Sequence, residues 1–301
     1  MVKRREAITY GAEHEWADWP LDRALPKGFK RDERDITIVN SNGVANDPTG
    51  RLWRFGGEIN TPPTDTTRGQ ADILQALLLR YPEAVVNYRS NLHIHIRVPG
   101  LRENLPALKR VQAHIHRWMP VLLPVLEPEL SERPAARVGE TSEEYIGAVR
   151  RWRRRRVSHG TLLKAQRVEG QLAAQTIEEF FEREVPRSSW GKPMWHAQPR
   201  ICVNLRQLRE TDTVEFRHFP GTLYADQMQI CQEWCEAYLM RALDGEDCSD
   251  IKTQYAGLFQ SFPAYSHWHE RRYRATVHDG TLTREQIAVN IQQIVDGVFD
   301  G

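Results

Sequence analysis

Three separated segments of the chain alternate apolar and polar side chains with a period of two, the pattern of a β-strand that buries one face. They are ITYGAEHEW, NLHIHIRV and DTVEFRHF. Each segment contains two ionisable side chains two positions apart, which therefore point to the same side of the strand. These pairs are Glu13 with Glu15, His93 with His95, and Glu215 with Arg217.

Periodicity and turn formers predict the other elements. Strands are expected at 7–16, 36–40, 51–60, 91–98, 200–206 and 212–219. Helices are expected at 67–81, 104–119, 142–158, 161–184 and 283–299, and within 221–243 with Thr222 or Asp226 near the N-terminus. The segments 41–50, 124–140 and 186–199 are predicted loops. This order predicts an α+β fold: one domain over 1–301, with an antiparallel or mixed sheet, helices on one side of it and a helical insertion at about 102–185.

Composition narrows the class of protein. The 301 residues are 40% hydrophobic and carry 41 Lys and Arg against 40 Asp and Glu, a formal net charge of +1. This balance argues against a chain whose whole surface binds nucleic acid or a membrane. We expect no secretory signal, because no apolar segment follows the basic N-terminus, and no membrane span, because prolines interrupt the short apolar stretch 118–128. Cysteines without CxxC spacing predict free thiols in a reducing compartment, the cytoplasm.

A fourth segment, FGGEINTPP, adds Glu58 to the strand-borne polar residues. Each pair alone also has a structural explanation: an exposed acidic face, hydrogen-bonded core histidines, or a same-face ion pair. Taken together, carboxylates and imidazoles are ligands for Mg²⁺ or Mn²⁺, and a nearby arginine can hold a phosphate or carboxylate through two donors. The combination indicates phosphoryl-transfer chemistry.

The segments GAEHEW, GGEINTPP, NLHIHI and VNLRQLRETDTVEFRHFPGTL occur in this order and resemble the motif series of the amidoligase family, within the glutamine synthetase-like carboxylate–amine ligases. EFRHFPGTL after VNL is the most specific element of a resemblance that runs from about residue 8 to about residue 240. The resemblance implies a glutamine synthetase-like catalytic domain with a curved, mainly antiparallel sheet. It also implies an ATP-dependent ligase that forms an amide or peptide-like bond through an acyl phosphate, with two Mg²⁺ or Mn²⁺ ions.

The same resemblance implies roles for individual residues. Glu13 and Glu15 would divide between two metal ions; Glu58 would join one ion, and His93 and Glu215 the other. The catalytic and phosphate- or substrate-binding residues would be Arg217, His95, Arg97 and Arg200. One departure is His14, which stands where the family usually has an aliphatic residue, on the side of the strand away from the site.

The partners implied are small-molecule or peptide carboxylates and amines, selected by the predicted loops, and the expected state is a monomer or a small homo-oligomer. Two other functions stay open. H-x-H also occurs in metal-dependent amidohydrolases, although about 90 residues precede it here. The arginine-rich segment Arg150–Arg156 could serve a nucleic-acid-binding or assembly protein, grip the nucleotide, or be a solvated face paired with upstream acids.

Overall fold

A computed structural model describes residues 8–17, 24–32, 56–81, 84, 90–122, 165–184 and 201–248. Within these ranges the protein has an α+β fold, which confirms the predicted class. No helix of the described residues is long and apolar enough to cross a membrane.

The described strands form one six-stranded sheet in the order β2-β3-β1-β4-β6-β5. Every strand pairing is antiparallel. The strands are β1 (Thr9–Ala17), β2 (Lys30–Asp32), β3 (Gly56–Asn60), β4 (Asn91–Arg97), β5 (Val203–Asn204) and β6 (Val214–Pro220). The strands with the period-two pattern, β1, β4 and β6, are therefore neighbours at the centre of the sheet although they are far apart in sequence.

The described helices are α1 (Thr67–Arg80), α2 (Leu105–Leu122), α3 (Ala165–Ala173), α4 (Ile177–Glu184), α5 (Gln207–Glu210) and α6 (Ala225–Asp244). Local signals set several of their ends. Thr66 caps α1 by accepting a hydrogen bond from the Gly69 amide. Gly245 ends α6 in the left-handed conformation that glycine adopts without steric cost.

The apolar face of the sheet carries the hydrophobic core and the helices α1 and α6. Ile94 and Phe216, from β4 and β6, are fully buried. The register of β4 with β6 shifts between Leu92 and Ile94, and both Phe216 and Phe219 consequently contact the ring of Trp234 on α6. This bulge lets β6 pack two aromatic side chains on the helix while Glu215 and Arg217 lie on the other face.

Some predicted elements differ from those observed. The single helix expected at 161–184 is two helices, because Thr176 caps α4: its hydroxyl accepts the Glu179 amide hydrogen bond. The strand expected at 200–206 pairs with β6 only over Val203–Asn204 before the chain turns into α5. The strand β2 was not predicted, and α2 runs through Pro120 to Leu122.

Other predictions lie outside the described residues. They are the strand at 36–40, the first part of the strand at 51–60, the helices at 142–158 and 283–299, and the loops at 41–50, 124–140 and 186–199.

Candidate metal centre

Strand register brings the polar pairs together on the sheet face opposite the core. Glu13 lies directly opposite His93, Glu15 opposite Glu58, and His95 opposite Glu215. Side chains that are directly opposite across an antiparallel pair point to the same side with their Cβ atoms about 5 Å apart. The pattern of each strand and the pairing of the strands thus produce one continuous row of carboxylates and imidazoles.

Glu13 is the centre of this row. Its Oε2 lies 2.8 Å from Nδ1 of His93, and its Oε1 lies 3.1 Å from Nε2 of His95. His93 also lies between two other carboxylates: its Nε2 is 3.7 Å from Oε1 of Glu15, and its Nδ1 is 3.7 Å from Oε1 of Glu215. A single imidazole therefore faces three glutamates.

Burial makes these contacts electrostatically strong. His93 is 1% exposed, and the side chains of Glu15 and Glu215 are 4% and 0% exposed. Burial disfavours the charged form of His93, and so does the charge of Arg217, but the hydrogen bond to Glu13 and the charges of Glu15 and Glu13 outweigh both and raise its pKa to about 9.

The pKa values of Glu13 and Glu58 are shifted in opposite directions. Burial favours the neutral form of Glu13, yet the nearby imidazoles of His95 and His93 lower its pKa well below the usual value. Glu58 has a pKa raised to about 8, first by burial and then by the negative charge of Glu13. Glu58 is thus the carboxyl that holds a proton when no cation balances the cluster.

Two groups of ligand atoms have the spacing of a metal site, with all atoms of a group within 4.8 Å of one another. One group is Glu13, Glu58 and His93, and the other is Glu13, His95 and Glu215. Nε2 of His93 is buried without a hydrogen-bond partner, and Nε2 of His95 has Oε1 of Glu13 at 3.1 Å. Two carboxylates and one imidazole in each group are a donor set for a hard or borderline divalent cation, and Glu13 belongs to both groups. The residues therefore fit a two-ion site.

The resemblance implies that His93 and Glu215 join the same ion, and Nδ1 of His93 does lie 3.7 Å from Oε1 of Glu215. The two compact groups place His93 with Glu13 and Glu58, and they place His95, expected to contact phosphate or substrate, with Glu13 and Glu215. Neither group includes Glu15, whose Oε2 accepts hydrogen bonds from the backbone and side-chain amides of Asn91 at 2.9 and 2.6 Å.

The predicted arginines Arg217 and Arg97 differ in their burial and in their ion-pair partners. Arg217 is 14% exposed and its NH1 donates to Glu215 Oε1, while its Nε is buried without a hydrogen-bond partner. Burial opposes the charge of Arg217, but Glu215, Glu13 and Glu15 outweigh it and raise its pKa. Arg97 pairs with Asp212 at 2.7 Å on the more exposed side of the row. Arg200 lies outside the described residues.

Four polar residues that contact the row were not predicted from the sequence: Asn60, Asn91, Asn204 and Thr213. The sequence held a signal for three of them, because Asn60 follows Glu58 by two positions, Asn91 precedes His93 by two, and Thr213 precedes Glu215 by two. Extending the period-two pattern would have found them. Asn204 could be placed only from the pairing of β5 with β6.

Comparison with known proteins adds no family assignment. No protein-family model matches the chain, and neither curated proteins nor solved structures give a significant match.

Proposed function

We propose that this protein is an ATP-dependent carboxylate–amine ligase with two divalent metal ions, Mg²⁺ or Mn²⁺. The observation that carries the proposal is the pair of carboxylate–imidazole groups that share Glu13, with Arg217 beside Glu215 on the same sheet face. Transfer of a phosphoryl group from a nucleoside triphosphate requires neutralisation of negative charge on several phosphate oxygens at once. Two adjacent cation sites with a guanidinium beside them can supply the positive charge.

The reaction consistent with these residues has two steps. A substrate carboxylate oxygen attacks the γ-phosphorus of ATP, the bond to ADP breaks, and an acyl phosphate forms. An amine then attacks the acyl carbon, expels phosphate and loses a proton, which leaves an amide. Bound metal ions would supply electrostatic stabilisation of the phosphoryl group.

Each residue of the row has a part in this scheme. Glu13, Glu58, His93, His95 and Glu215 would hold the ions. Arg217 keeps its positive charge and cannot be a ligand, so its planar donors would bind the substrate carboxylate or the acyl phosphate. Arg97 and Arg200 would contact phosphate or substrate at the periphery, and Glu15 would keep His93 oriented from the other side of its ring.

The antiparallel sheet helps to choose between this proposal and its rivals. An amidohydrolase barrel with H-x-H would place that strand between parallel neighbours, whereas β4 pairs antiparallel with both β1 and β6. A nucleic-acid-binding or assembly function would depend on Arg150–Arg156, which lie outside the described residues, and would leave the buried carboxylate–imidazole row without a role. The resemblance of the motif series supports the ligase.

Trapping the acyl phosphate tests the proposal without knowledge of the amine. The protein is incubated with ATP, Mg²⁺ or Mn²⁺, hydroxylamine and single carboxylic acids from panels of amino acids, peptides and other small acids. Hydroxylamine converts an acyl phosphate to a hydroxamate, which forms a coloured ferric complex. We expect hydroxamate that requires ATP, the cation and one class of acid. Amide cleavage without ATP, and no hydroxamate from any acid, would instead indicate a hydrolase.

Arg217→Lys separates substrate binding from metal binding once an acid is known. Lysine retains the charge but loses the two-donor geometry, so ligation should fall about 10²-fold or more, the effect of losing one preorganised donor. Metal-dependent ATP binding, measured by calorimetry, should persist in this variant. Glu215→Gln should weaken metal binding itself. The role given to Arg217 is wrong if Arg217→Lys keeps full activity or if both variants lose ATP binding equally.

A further inference from the structure

Most carboxylates of the row have one feature that a metal-binding role alone does not require. Three of them accept a hydrogen bond from an asparagine side-chain amide: Glu15 from Asn91 at 2.6 Å, Glu215 from Asn204 at 2.6 Å, and Glu58 from Asn60 at 3.0 Å. The three asparagines come from different strands, β4, β5 and β3. Sequence proximity therefore does not explain the repeated pairing, except at Asn60.

In two of these pairs the amide holds the carboxylate oxygen that points away from the histidines. Asn204 binds Oε2 of Glu215, while Oε1 of the same carboxylate lies 3.7 Å from Nδ1 of His93 and contacts Arg217. Asn91 binds Oε2 of Glu15, while Oε1 lies 3.7 Å from Nε2 of His93. One oxygen is occupied, and the other faces the cluster.

The orientation of the Asn204 amide is fixed by its second bond. Its Oδ1 accepts a hydrogen bond from the Arg206 backbone amide at 3.1 Å. An amide whose oxygen is engaged by a donor must present its NH₂ group to the remaining partner, so Nδ2 donates to Glu215. The turn that follows β5 thereby holds Oε2 of Glu215, and Oε1 is the oxygen that faces His93 and Arg217.

The chemistry of asparagine suits this task. An amide donor satisfies one carboxylate oxygen without supplying a positive charge, unlike the guanidinium of Arg217 on the other oxygen of Glu215. A carboxylate with one oxygen engaged binds a metal through the other oxygen alone. Mg²⁺ requires near-ideal octahedral geometry with such single-oxygen contacts, whereas Ca²⁺ accepts both oxygens of a carboxylate and more ligands.

We infer that Asn60, Asn91 and Asn204 are positioning residues that hold their glutamates as single-oxygen ligands, or as single-oxygen contacts to the ligand His93, and so tune the site to small octahedral cations over Ca²⁺. This inference rests on the metal-binding part of the proposed function and does not depend on the ligase reaction.

Calorimetric titration of metal-free protein with Mn²⁺ and, separately, with Ca²⁺ tests the inference without nucleotide. We expect wild-type protein to bind Mn²⁺ more tightly than Ca²⁺. In Asn204→Ala and Asn60→Ala, Mn²⁺ affinity should fall about 10–100-fold, the usual effect of removing an outer-shell partner. Ca²⁺ affinity should fall less or rise, because a freed carboxylate can offer both oxygens, so the ratio of the two affinities shifts toward Ca²⁺.

Asn104→Ala is the matched control. Asn104 accepts the Ala107 amide hydrogen bond at the start of α2, away from the row, so its loss costs helix-cap stability and should change neither affinity. If Asn204→Ala does not fold, as judged by circular dichroism, Asn60→Ala decides, because Asn60 is partly exposed on β3 and its removal creates little cavity.

The outcomes are distinct. Equal losses for Mn²⁺ and Ca²⁺ would mean that the asparagines only support the fold, and unchanged affinities would mean that they do not act on the site; either result overturns the inference and leaves the proposed function standing. Wild-type protein that binds neither cation up to millimolar concentration would overturn the metal site itself.

Discussion

His14 lies between two site glutamates yet belongs to the other face of β1. Its side chain is 1% exposed, its ring centroid is 5.6 Å from that of Trp16, and its Nε2 has no hydrogen-bond partner. Burial lowers the pKa of His14 to about 3. A neutral imidazole therefore occupies a place in the core that an aliphatic side chain could fill without leaving a polar atom unpaired.

His14→Leu should consequently be neutral or stabilising at pH 7.5, and its advantage should grow in acid. The unfolded wild-type chain binds a proton at His14 near pH 6.5 and the folded chain only near pH 3, so acidification through this window favours unfolding. The difference in unfolding free energy between variant and wild type should increase by up to about 1.4 kcal/mol for each pH unit of acidification between pH 6.5 and pH 3.

Urea unfolding at pH 7.5 and pH 5 measures this difference. His116→Leu is the control, because His116 is exposed on α2 and meets solvent in both states. A His14→Leu variant whose stability falls with acid as steeply as that of the wild type would contradict the assigned environment of His14.

The residues of the row show what the sequence can place at this scale. One strand pattern, read locally, assigns a polar face to Glu13, Glu15, Glu58, His93, His95 and Glu215, and strand register brings these faces together. Which of them lie next to one another could not be predicted in this way. The pairing of His93 with Glu13 and of His95 with Glu215 depends on register between residues 80 and 120 positions apart, and that register is set by side-chain packing and hydrogen bonding across the whole sheet.

At the scale of elements, the helices α3 and α4 show a local signal that overrides periodicity. The apolar spacing over 161–184 continues through the break, which is why one helix was predicted. Thr176, with Glu179 three positions later, matches the start of a new helix, and Thr176 accepts the Glu179 amide at 3.1 Å. The carboxylate of Glu179 in turn accepts the Gln175 amide hydrogen bond at 2.7 Å.

Thr176→Ala distinguishes two helices from one. At an N-terminal cap, loss of the hydroxyl should lower the free energy of unfolding by about 0.5–2 kcal/mol. Inside a continuous helix, the same change would raise it by a few tenths of a kcal/mol or more, because alanine is the better helix former. Thr176→Ser retains the hydroxyl and should stay close to wild type. Chemical denaturation of the three proteins gives the sign of the change in unfolding free energy. A Thr176→Ala protein that is more stable than wild type would support the single helix predicted over 161–184.

The short strands deviate from prediction for a different reason: β2 was not predicted, and β5 was predicted as the longer strand 200–206. β2 and β5 have three and two residues, too few for alternation to appear above chance. Their positions follow from the edges of the sheet, where Lys30 and Asp32 pair with β3, and Val203 and Asn204 pair with β6. A strand of this length is stable only because a longer neighbour already offers its hydrogen-bonding groups.

At the scale of the whole molecule, the net charge is close to zero, but ionisable side chains are concentrated on one face of the sheet. The chain is balanced overall at +1, but four glutamates meet on the polar face of the sheet with two histidines and one arginine among them. Without a cation, bound protons offset part of the negative charge on that face, because the pKa values of His93 and Glu58 are both raised, to about 9 and about 8. Protons and divalent cations should therefore compete for the same site.

The raised pKa values of His93 and Glu58 determine how the stability of the metal-free protein depends on pH. Folded His93 retains its proton up to about pH 9, against about 6.5 in the unfolded chain, so its stabilising contribution is complete below pH 6.5 and is lost as pH rises through 9. Folded Glu58 binds a proton up to about pH 8, against 4.5 when unfolded, so it too makes stability fall with rising pH, between 4.5 and 8. Both groups should lower the melting temperature of metal-free protein from pH 6.5 toward pH 9.

Metal binding should reverse this trend and release protons. A cation needs Glu58 ionised and His93 neutral, so at pH 7 its binding should expel up to two protons, and its affinity should rise with pH until about pH 9. Mn²⁺ titrations in buffers of different ionisation enthalpy count the protons, and Glu58→Gln should remove one of them. The melting temperature with saturating Mn²⁺ should rise from pH 6.5 to pH 9 where that of the metal-free protein falls. Proton release near zero, with an affinity that does not change over this range, would mean that the cation binds elsewhere than between Glu13, Glu58 and His93.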